Sequence, residues 1–560
     1  MIKDRKFFKV IFFLGIILLL AVVTGGVGKV LVFLSKGGNR ADLLNIPPEL
    51  PSEYTPKVIW LNDDTDTGRP MESSNRNIIA KDYVRALYQR NLSLLTAKPD
   101  GIKEYYTLAA RPKIFAQINL VASSETSIER AEINHNLKLH FYSADGQLVS
   151  FTDRFVESRE RVKNKEGRLL ASKVEYADFN TLMQLDDGYW RIKHVVRMPP
   201  NTIPDTLIAD STNRKAFFLE KLKSIKGINY YPRDTPWKDF WITYNSVTTQ
   251  KDFKLIKKLG FNTIRIFVNF EQFGKGNVVP EMIQRLENVL NTATANNLSL
   301  IVTLFDFNSN YSLLNFPATD RQLETLLTTF KNHPALLAWD LKNEADLDFF
   351  YQNREEVKEW LKFIIKKAKK YDSIHPITVG WAYPENADYL ADEFDFVSFH
   401  YYKEATKLGE AIDSLRKKVN NKPLVLSEFG LSSYRSKVFP YNQTETQQAE
   451  YFRDIQEVLK QKGNIPSIYW TLYDFTSVSS DIAGWRPWQR NNQKYFGIIG
   501  ADGSLKKIGN IIIHPEQIIK KSFIESFPHY SFLYIIIFLF LVAAFIKRNF
   551  IFSLFNKILK

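Results

Sequence analysis

The sequence predicts an α/β fold: a (β/α)8 TIM barrel preceded by a small α+β domain and flanked by N- and C-terminal transmembrane helices. Three observations support this prediction. Short apolar runs alternate with helical patterns over the C-terminal half, which is typical of a parallel sheet. In the N-terminal half, Asp-Gly turns join long alternating segments. A long apolar stretch lies near each end of the 560-residue chain.

The first of these stretches, Phe7–Leu34, is longer than the roughly 20 residues that span a bilayer. We expect a transmembrane anchor at residues 10–34, preceded by a basic cytoplasmic N-terminus at residues 1–9. A cleaved signal peptide has the same basic start and apolar centre and is the alternative. The anchor is favoured because the apolar run resumes after Lys29 and no small-x-small cleavage site precedes it.

A second transmembrane helix is predicted at residues 530–546, followed by a basic cytoplasmic tail at residues 547–560. Basic residues on the outer flank of each span place both termini in the cytoplasm by the positive-inside bias. The region between the spans is then exocytoplasmic, at the plasma membrane of the cell. The lipid bilayer is therefore a predicted partner of this chain.

Composition excludes several classes of site. The chain has no cysteine, so disulfides, thiolate metal sites and a cysteine nucleophile are excluded. The formal charge is +14, but we find no basic block interleaved with aromatic residues, and we predict no nucleic-acid partner. The eight histidines are scattered, and the strands lack a glycine-rich phosphate loop. No metal and no cofactor are predicted.

After a linker predicted at residues 45–74, rich in proline and acidic residues, an α+β domain is predicted at residues 75–200. A helical pattern there precedes long alternating segments with turns at "ADG" and "LDDG". This pattern resembles the cone-shaped domains of the nuclear-transport-factor-2-like class. Such domains catalyse, bind ligands or support a neighbour. Without a convergent group of histidines or carboxylates, we favour binding or support.

The barrel is predicted at residues 215–512. Eight apolar runs alternate there with helical patterns such as "REEVKEWLKFIIKKAKKY", within the length typical of a (β/α)8 barrel. The fourth run ends on Glu344 and the seventh on Glu428. Because function in such a barrel lies where strands end, the two carboxylates are expected to converge across its mouth. Two carboxylates about 5 Å apart suit retaining glycoside hydrolysis.

The barrel region, from about residue 226 to 507, resembles glycoside hydrolase clan A, and within it the cellulase-like family 5. The motifs that carry this resemblance are "KGINYYP", "NTIRIF", "KNEADL", "SFHYY", "LSEFG", "YWTLYDF" and "YFGIIGADGSLK". The resemblance implies that Glu344 is the acid/base and Glu428 the nucleophile.

Further site residues follow from the same resemblance. It implies that Asn343 binds the sugar 2-hydroxyl and that Arg265 donates to the nucleophile. His400 and Tyr402 belong to the hydrogen-bond network, and Trp470 forms the floor of the subsite for the reacting sugar. Strand three departs from the family, because Phe305 and Asp306 stand where family 5 commonly has a histidine.

Aromatic residues in the loops are further candidates for sugar-binding subsites, since a tryptophan face matches the C–H face of a pyranose. Trp485 and Trp488 follow strand eight, and Trp237 and Trp241 follow strand one. Ordinary packing of a surface loop explains these positions equally well.

The resemblance and the two spans together predict a membrane-anchored exocytoplasmic retaining β-glycosidase. Its substrate would be a β-linked polysaccharide, β-glucan or β-mannan, and its further partners would be polysaccharide synthesis or export machinery. Two alternatives stay open: a transglycosylase with the same site, and a non-catalytic polysaccharide-binding or export scaffold with a degenerate barrel.

Overall fold

The structure is a computed structural model that describes residues 50–51, 54–200, 211–420, 422–436 and 443–520, together with 536–543, 545 and 547. The predicted anchor at residues 10–34 lies outside the described residues, as do the predicted cytoplasmic N-terminus at residues 1–9 and residues 548–560 of the predicted tail. Of the predicted span at residues 530–546, residues 536–543 are described as helical. Across the described ranges, no helix is both long enough and apolar enough to cross a membrane.

The N-terminal part is a six-stranded sheet covered by helices. The strands pair in the order β1-β3-β4-β5-β6, with β2 on β4, and every pair is antiparallel except β1 with β3. Apolar side chains of the helices and of one sheet face form a separate core. The elements are β1 (Lys57–Trp60), α1 (Ser73–Thr96), α2 (Ile102–Tyr105), α3 (Arg111–Ser123), β2 (Thr126–Glu132), β3 (Asn134–Tyr142), β4 (Leu148–Asn164), β5 (Leu169–Asp186) and β6 (Tyr189–Met198).

Part of the predicted linker at residues 45–74 belongs to this sheet, which corrects the prediction. Strand β1 lies within it, and the Trp60 ring packs edge-on against Phe151 at 5.8 Å. Tyr54 and Met71, at either end of the segment, are buried. The alternation in "KVIW" is a strand signal, but the prolines and acidic residues around it favour a linker.

The C-terminal part is a closed barrel of eight parallel strands in the order β7 to β14, which confirms the predicted (β/α)8 architecture. The strands are β7 (Lys226–Asn229), β8 (Thr263–Asn269), β9 (Ser299–Asp306), β10 (Leu336–Asn343), β11 (Ile377–Trp381), β12 (Val397–Tyr401), β13 (Leu424–Phe429) and β14 (Ser467–Tyr469). The helices are α4 (Ser211–Leu222), α5 (Lys238–Ile242), α6 (Ser246–Lys258), α7 (Pro280–Ala295), α8 (Phe316–Phe330), α9 (Arg354–Tyr371), α10 (Ala405–Lys418), α11 (Glu445–Gln461), α12 (Ser480–Ala483), α13 (Pro487–Lys494) and α14 (Lys507–Ile513).

The barrel elements form where the sequence pattern indicates them. In α9, Val357, Trp360, Leu361 and Ile364 are buried at helical spacing, and the Asn353 side chain caps the helix by accepting from the N–H of Glu355. All residues of β8 and β9 are buried, as expected of strands enclosed between a barrel interior and a helical shell.

The sheet domain contacts the barrel at the loop that follows β9. Arg161 of β4 is completely buried, donates to the Tyr311 carbonyl at 2.8 Å and pairs with Glu359 at 2.6 Å. Glu129 of β2 accepts from the backbone N–H of Leu313 at 2.6 Å. The small domain therefore holds the chain a few residues beyond the carboxyl end of strand β9.

Candidate active site

The two glutamates that end apolar runs lie together at the carboxyl end of the barrel. A carboxylate oxygen of Glu344 and one of Glu428 lie within 4.8 Å of each other. Both side chains line an open cleft of about 480 Å³. The geometric prediction from strand position, that two acids more than eighty positions apart meet, agrees with this arrangement.

The local backbone at the end of β10 explains how Glu344 reaches the cleft. The pairing of β10 with β11 shifts register between Asp340 and Asn343, and Glu344 has a left-handed backbone with φ of 49°. Its N–H donates to the Gly380 carbonyl at 2.7 Å. A register shift of this kind re-aims the side chains that follow it, and such irregularities occur often next to active sites.

Arg265 is the central cation of the site. Its guanidinium is fully buried and donates to Glu428 Oε1 at 2.6 Å, to Asp340 Oδ2 at 2.6 Å and to Asn343 Oδ1 at 2.9 Å. Burial alone would lower the pKa of this guanidinium, but the charges of Asp340 and Glu428 outweigh burial and raise the pKa. Arg265 therefore remains a cation beside Glu428.

The second oxygen of Glu428 also accepts a hydrogen bond. Tyr402 donates its hydroxyl to Glu428 Oε2 at 2.9 Å. Burial, together with the neighbouring charge of Glu428, raises the pKa of Tyr402 well above its usual value, so the phenol stays protonated as a donor. Each oxygen of Glu428 therefore accepts a hydrogen bond from a different donor, which fixes the orientation of its carboxyl group.

Glu344 has different surroundings. Burial raises the pKa of Glu344 against the opposing charges of Arg265 and Lys342. Burial also lowers the pKa of His400 to about 4, which leaves its imidazole neutral near neutral pH. His400 Nδ1 lies 2.9 Å from Glu344 Oε1 and 3.6 Å from Glu428 Oε2. Burial therefore keeps the proton on Glu344 to a higher pH than on an ordinary glutamic acid.

Aromatic side chains form much of the cleft wall. Trp470 is 5% exposed, and its indole nitrogen has no hydrogen-bond partner among the described residues. Trp237 lies beside it, with ring centroids 6.5 Å apart. Both tryptophans line the cleft, and the indole N–H of Trp470 is itself buried.

The predicted subsite residues of the loop after strand eight lie elsewhere. Trp485 is 74% exposed and Trp488 is 39% exposed, and neither side chain lines the cleft. Trp241 packs inside the fold and donates its indole N–H to the Phe267 carbonyl. Of the four loop tryptophans considered from the sequence, Trp237 is the one that lines the cleft.

Several residues of the site were missed by the sequence analysis. Asp340 accepts two hydrogen bonds from Arg265 and one from the Gly380 N–H. Asn229 accepts from Arg265 at 3.1 Å. A signal for Asp340 was present, since a charge inside the run "LLAWDL" needs a buried partner. Gly380, a glycine inside a strand, also indicates a close approach.

Three groups of the site offer donor atoms that a metal ion could use. Glu344, His400 and Glu428 each place one such atom within 4.8 Å of the others. However, the Arg265 guanidinium already binds Glu428 directly and would repel a cation at this point. The electrostatics favour a pair of acids with separate tasks over a metal centre.

The sheet domain contains a convergent polar group that the sequence analysis did not find. His135 Nδ1 lies 2.5 Å from Asp153 Oδ2, to which Tyr83 also donates at 3.1 Å. Glu132 nearby accepts from Asn91 and Arg90. These side chains are buried or nearly so. They converge because antiparallel pairing aligns strands that are distant in sequence, and their burial indicates a structural network.

A comparison with models of protein families found one match, which lies in the barrel region. The sequence pattern of the cellulase family, glycosyl hydrolase family 5, matches residues 223–476. A comparison with curated proteins found no match.

Solved structures to which this chain is similar include the exo-beta-1,4-mannosidase Op5Man5 from Opitutaceae bacterium strain TAV5. It is 19% identical, the match covers 51% of this chain and 58% of that chain, and the TM-score is 0.43. GH5_18 from Streptomyces cattleya in complex with GlcNAc is 14% identical over 53% of this chain and 81% of that chain, with a TM-score of 0.43. A b-glucuronidase from Ruminococcus gnavus is 15% identical over 70% of this chain and 68% of that chain, with a TM-score of 0.42.

These identities are too low to transfer a substrate. The motifs at the strand ends, the closed eight-stranded barrel and the family pattern agree with one another. Residues 223–476 of this chain are therefore similar to the cellulase family, glycosyl hydrolase family 5.

Proposed function

We propose that this chain is a membrane-anchored exocytoplasmic β-glycosidase of the retaining type that cleaves a β-linked polysaccharide by double displacement. The separation of the two acids carries the proposal. Oxygens within 4.8 Å of each other are close to the roughly 5–5.5 Å of retaining pairs and well short of the roughly 6.5–9.5 Å of inverting pairs.

The surroundings of the two acids support distinct roles in this reaction. Glu428 attacks the anomeric carbon and forms a glycosyl ester, while Glu344 gives its proton to the departing glycosidic oxygen. Glu344, now ionised, then takes a proton from a water molecule, whose oxygen attacks the anomeric carbon and releases Glu428. Arg265 and Tyr402 hold the nucleophile oriented between turnovers by one hydrogen bond to each of its oxygens.

We test the activity with the full-length protein in detergent. Reducing ends released from a panel of β-glucans and β-mannans measure hydrolysis. We expect turnover of at least one member and its loss in Glu428→Ala. Failure to cleave any member, with Glu428→Ala indistinguishable from the natural protein, would reject the proposal and favour the non-catalytic scaffold.

Product length separates hydrolysis from transglycosylation, which uses the same covalent intermediate. Transfer to a second sugar yields products longer than the donor, whereas transfer to water cannot. Chromatography of the products from a defined tetrasaccharide therefore decides between the two, and hydrolysis predicts shorter products throughout.

The proposed location rests on the two apolar segments of the sequence and their basic outer flanks. An enzyme tethered beside the membrane would trim or remodel a polysaccharide made by its own cell, next to the synthesis or export machinery.

The cysteine-free sequence allows a direct test of location. Leu108 is 78% exposed, so Leu108→Cys should react with a membrane-impermeant maleimide on intact cells. Lys560→Cys in the predicted cytoplasmic tail is the matched control and should react only after permeabilisation. Labelling of Leu108→Cys only after permeabilisation would place the domain in the cytoplasm.

A further inference from the structure

Asp306 is a third carboxyl group in the cleft. It is the last residue of β9 and lines the cleft together with Glu344 and Glu428. Its side chain is buried, at 6% exposure for the residue. Among the described residues, its one side-chain hydrogen bond is from the Tyr231 hydroxyl at 3.5 Å, at the limit of such a contact.

The cations near Asp306 are engaged by other acids. Arg265 is bound by Asp340 and Glu428, and Lys342 lies 3.3 Å from Asp348. Burial raises the pKa of Asp306 to about 7, against the lowering influence of Lys342 and Arg265 and with a further rise from Glu428. Asp306 is therefore a buried acid whose charge lacks a paired partner of its own in the described part of the chain.

The other described side chains of the cleft do not supply a positive charge that could pair with Asp306. Its lining contains the carboxyl groups of Asp306, Glu344 and Glu428 and no lysine or arginine among the described residues. At the rim, Lys238 lies over the Phe307 ring at 5.4 Å but pairs with Asp481 at 2.8 Å. A cleft with this distribution repels an anionic sugar and attracts a cationic one.

Aromatic faces add to this preference. Tyr231, Trp237 and Phe307 line the same cleft as Asp306. The face of an aromatic ring attracts an ammonium group, most strongly where water is excluded. An acid beside several aromatic rings is a combination that recognises an organic cation better than a neutral hydroxyl.

We propose that Asp306 binds a sugar ammonium group, so that the cleft selects β-linked glycans with free-amine hexosamine units over neutral glycans and rejects uronic acids. This inference rests on the proposed glycosidase function and names the substrate class of the same site. The sugar amine would supply the cationic partner that Asp306 lacks among the described residues, and it would do so beside a buried carboxyl group.

A matched set of four ligands tests this inference by calorimetric binding to the full-length protein at pH 7. The first three are β-1,4-linked tetramers of glucosamine, N-acetylglucosamine and glucose, which differ in the group at carbon 2. The fourth is a β-1,4-linked mannuronic acid tetramer. We expect the glucosamine tetramer to bind at least tenfold more tightly than the glucose tetramer, and the uronic acid tetramer to bind most weakly.

Asp306→Asn removes the charge with little change of shape. It should weaken binding of the glucosamine tetramer about tenfold and leave binding of the glucose tetramer within twofold. The matched control is Asp187→Asn, which removes the same charge from a side chain that is 80% exposed in the sheet domain. That control should bind all four ligands as the natural protein does.

The binding test of this inference and the turnover test of the proposed function can fail independently of each other. Equal binding of the glucosamine and glucose tetramers, an undiminished amine preference in Asp306→Asn, or no binding of any tetramer would overturn the inference. An amine preference without cleavage of any glycan would uphold the inference and count against the proposed function. Cleavage of neutral glycans with no amine preference would do the reverse.

Discussion

The two glutamates of the site differ in their hydrogen-bond partners. Glu428 accepts from Arg265 and from Tyr402, one donor to each oxygen. Glu344 contacts the neutral imidazole of His400, and burial raises the pKa of Glu344. The two acids thus differ in their surroundings, as the division of roles in the proposed mechanism requires.

The raised pKa of Glu344 predicts the alkaline side of the pH profile. Protonated Glu344 is the active form, so kcat/KM falls as pH rises through its pKa. Lys342 lowers this pKa and Asp348 raises it. Lys342→Met should therefore move the alkaline limb of kcat/KM to higher pH, and Asp348→Asn should move it to lower pH.

The control for this pair is Lys223→Met, which removes an exposed lysine that pairs with Glu220 on α4. It should leave the profile in place. Shifts of the same sign in Lys342→Met and Asp348→Asn would contradict the assignment of the alkaline limb to Glu344.

The sequence singled out residues that end an apolar run as site candidates and did not single out residues inside one. Glu344 and Glu428 stand out because a carboxylate stops a buried strand. Asp340 lies between Trp339 and Leu341, where its role depends on Arg265 reaching it across the barrel. Asp306 was recognised as a departure from the family pattern, but its lack of a basic partner is a property of the folded cleft.

Among the elements, strand β11 shapes the site through the absence of a side chain. A Cβ at Gly380 would lie 2.9 Å from Arg265 Nη2, 3.0 Å from His400 Nε2 and 3.2 Å from Asp340 Oδ2. Glycine in this strand therefore makes room for the arginine and the histidine that contact the two glutamates.

Gly380→Ala should disturb this packing. We expect an overpacking cost of about 1–3 kcal/mol in the free energy of unfolding, and a loss of about tenfold or more in kcat, since misplaced catalytic groups lose rate steeply. Thermal unfolding and steady-state kinetics measure the two effects.

The matched control is Gly409→Ala in helix α10, where the nearest atom to the new Cβ is the flexible end of Lys462 at 3.2 Å. Alanine there should stabilise the helix by about 0.5–1 kcal/mol. Equal activity in Gly380→Ala and the natural protein would show that the arginine and histidine do not need this space.

Helices with a clear hydrophobic periodicity could be predicted from the sequence. A short strand flanked by prolines and acidic residues could not. Helix α9 coincides with the periodic segment at residues 354–371. Helix α8 begins at Phe316, with Pro317 in its first turn and its first five residues buried. Strand β1 was missed because its pairing with β3 depends on contacts 77 positions away.

On the scale of the whole molecule, a buried ion network joins the sheet domain to the barrel. Arg161 reaches Glu356 at 3.2 Å, Glu359 at 2.6 Å and Glu129 at 3.6 Å. It also donates to Tyr311, which follows Asp306 in the loop after β9. This connection favours the view that the small domain supports the cleft.

Arg161→Met should therefore weaken the whole protein. It leaves buried acids without their arginine, which typically costs about 3–5 kcal/mol. We expect a lower Tm and a higher KM, since the loop after β9 lines the cleft. The control, Lys165→Met, removes an exposed lysine paired with Glu125 and should change neither. A natural Tm in Arg161→Met would mean that the two domains are energetically independent.

The domain contact could not be predicted from the sequence, because its partners are separated by 150 to 198 positions and no local pattern links them. The barrel could be predicted, because its alternation of strands and helices repeats over short distances. The prediction of the two membrane anchors rests only on the length of the apolar segments and on the charges that flank them.

The central claim is that Glu428 forms a covalent bond with the sugar. The most direct measurement is inactivation of the full-length protein with activated 2-deoxy-2-fluoro-β-glucosides and mannosides, followed by peptide mapping with mass spectrometry. The account predicts a single fluoroglycosyl label on Glu428. A label on Glu344 or on any other residue would contradict it.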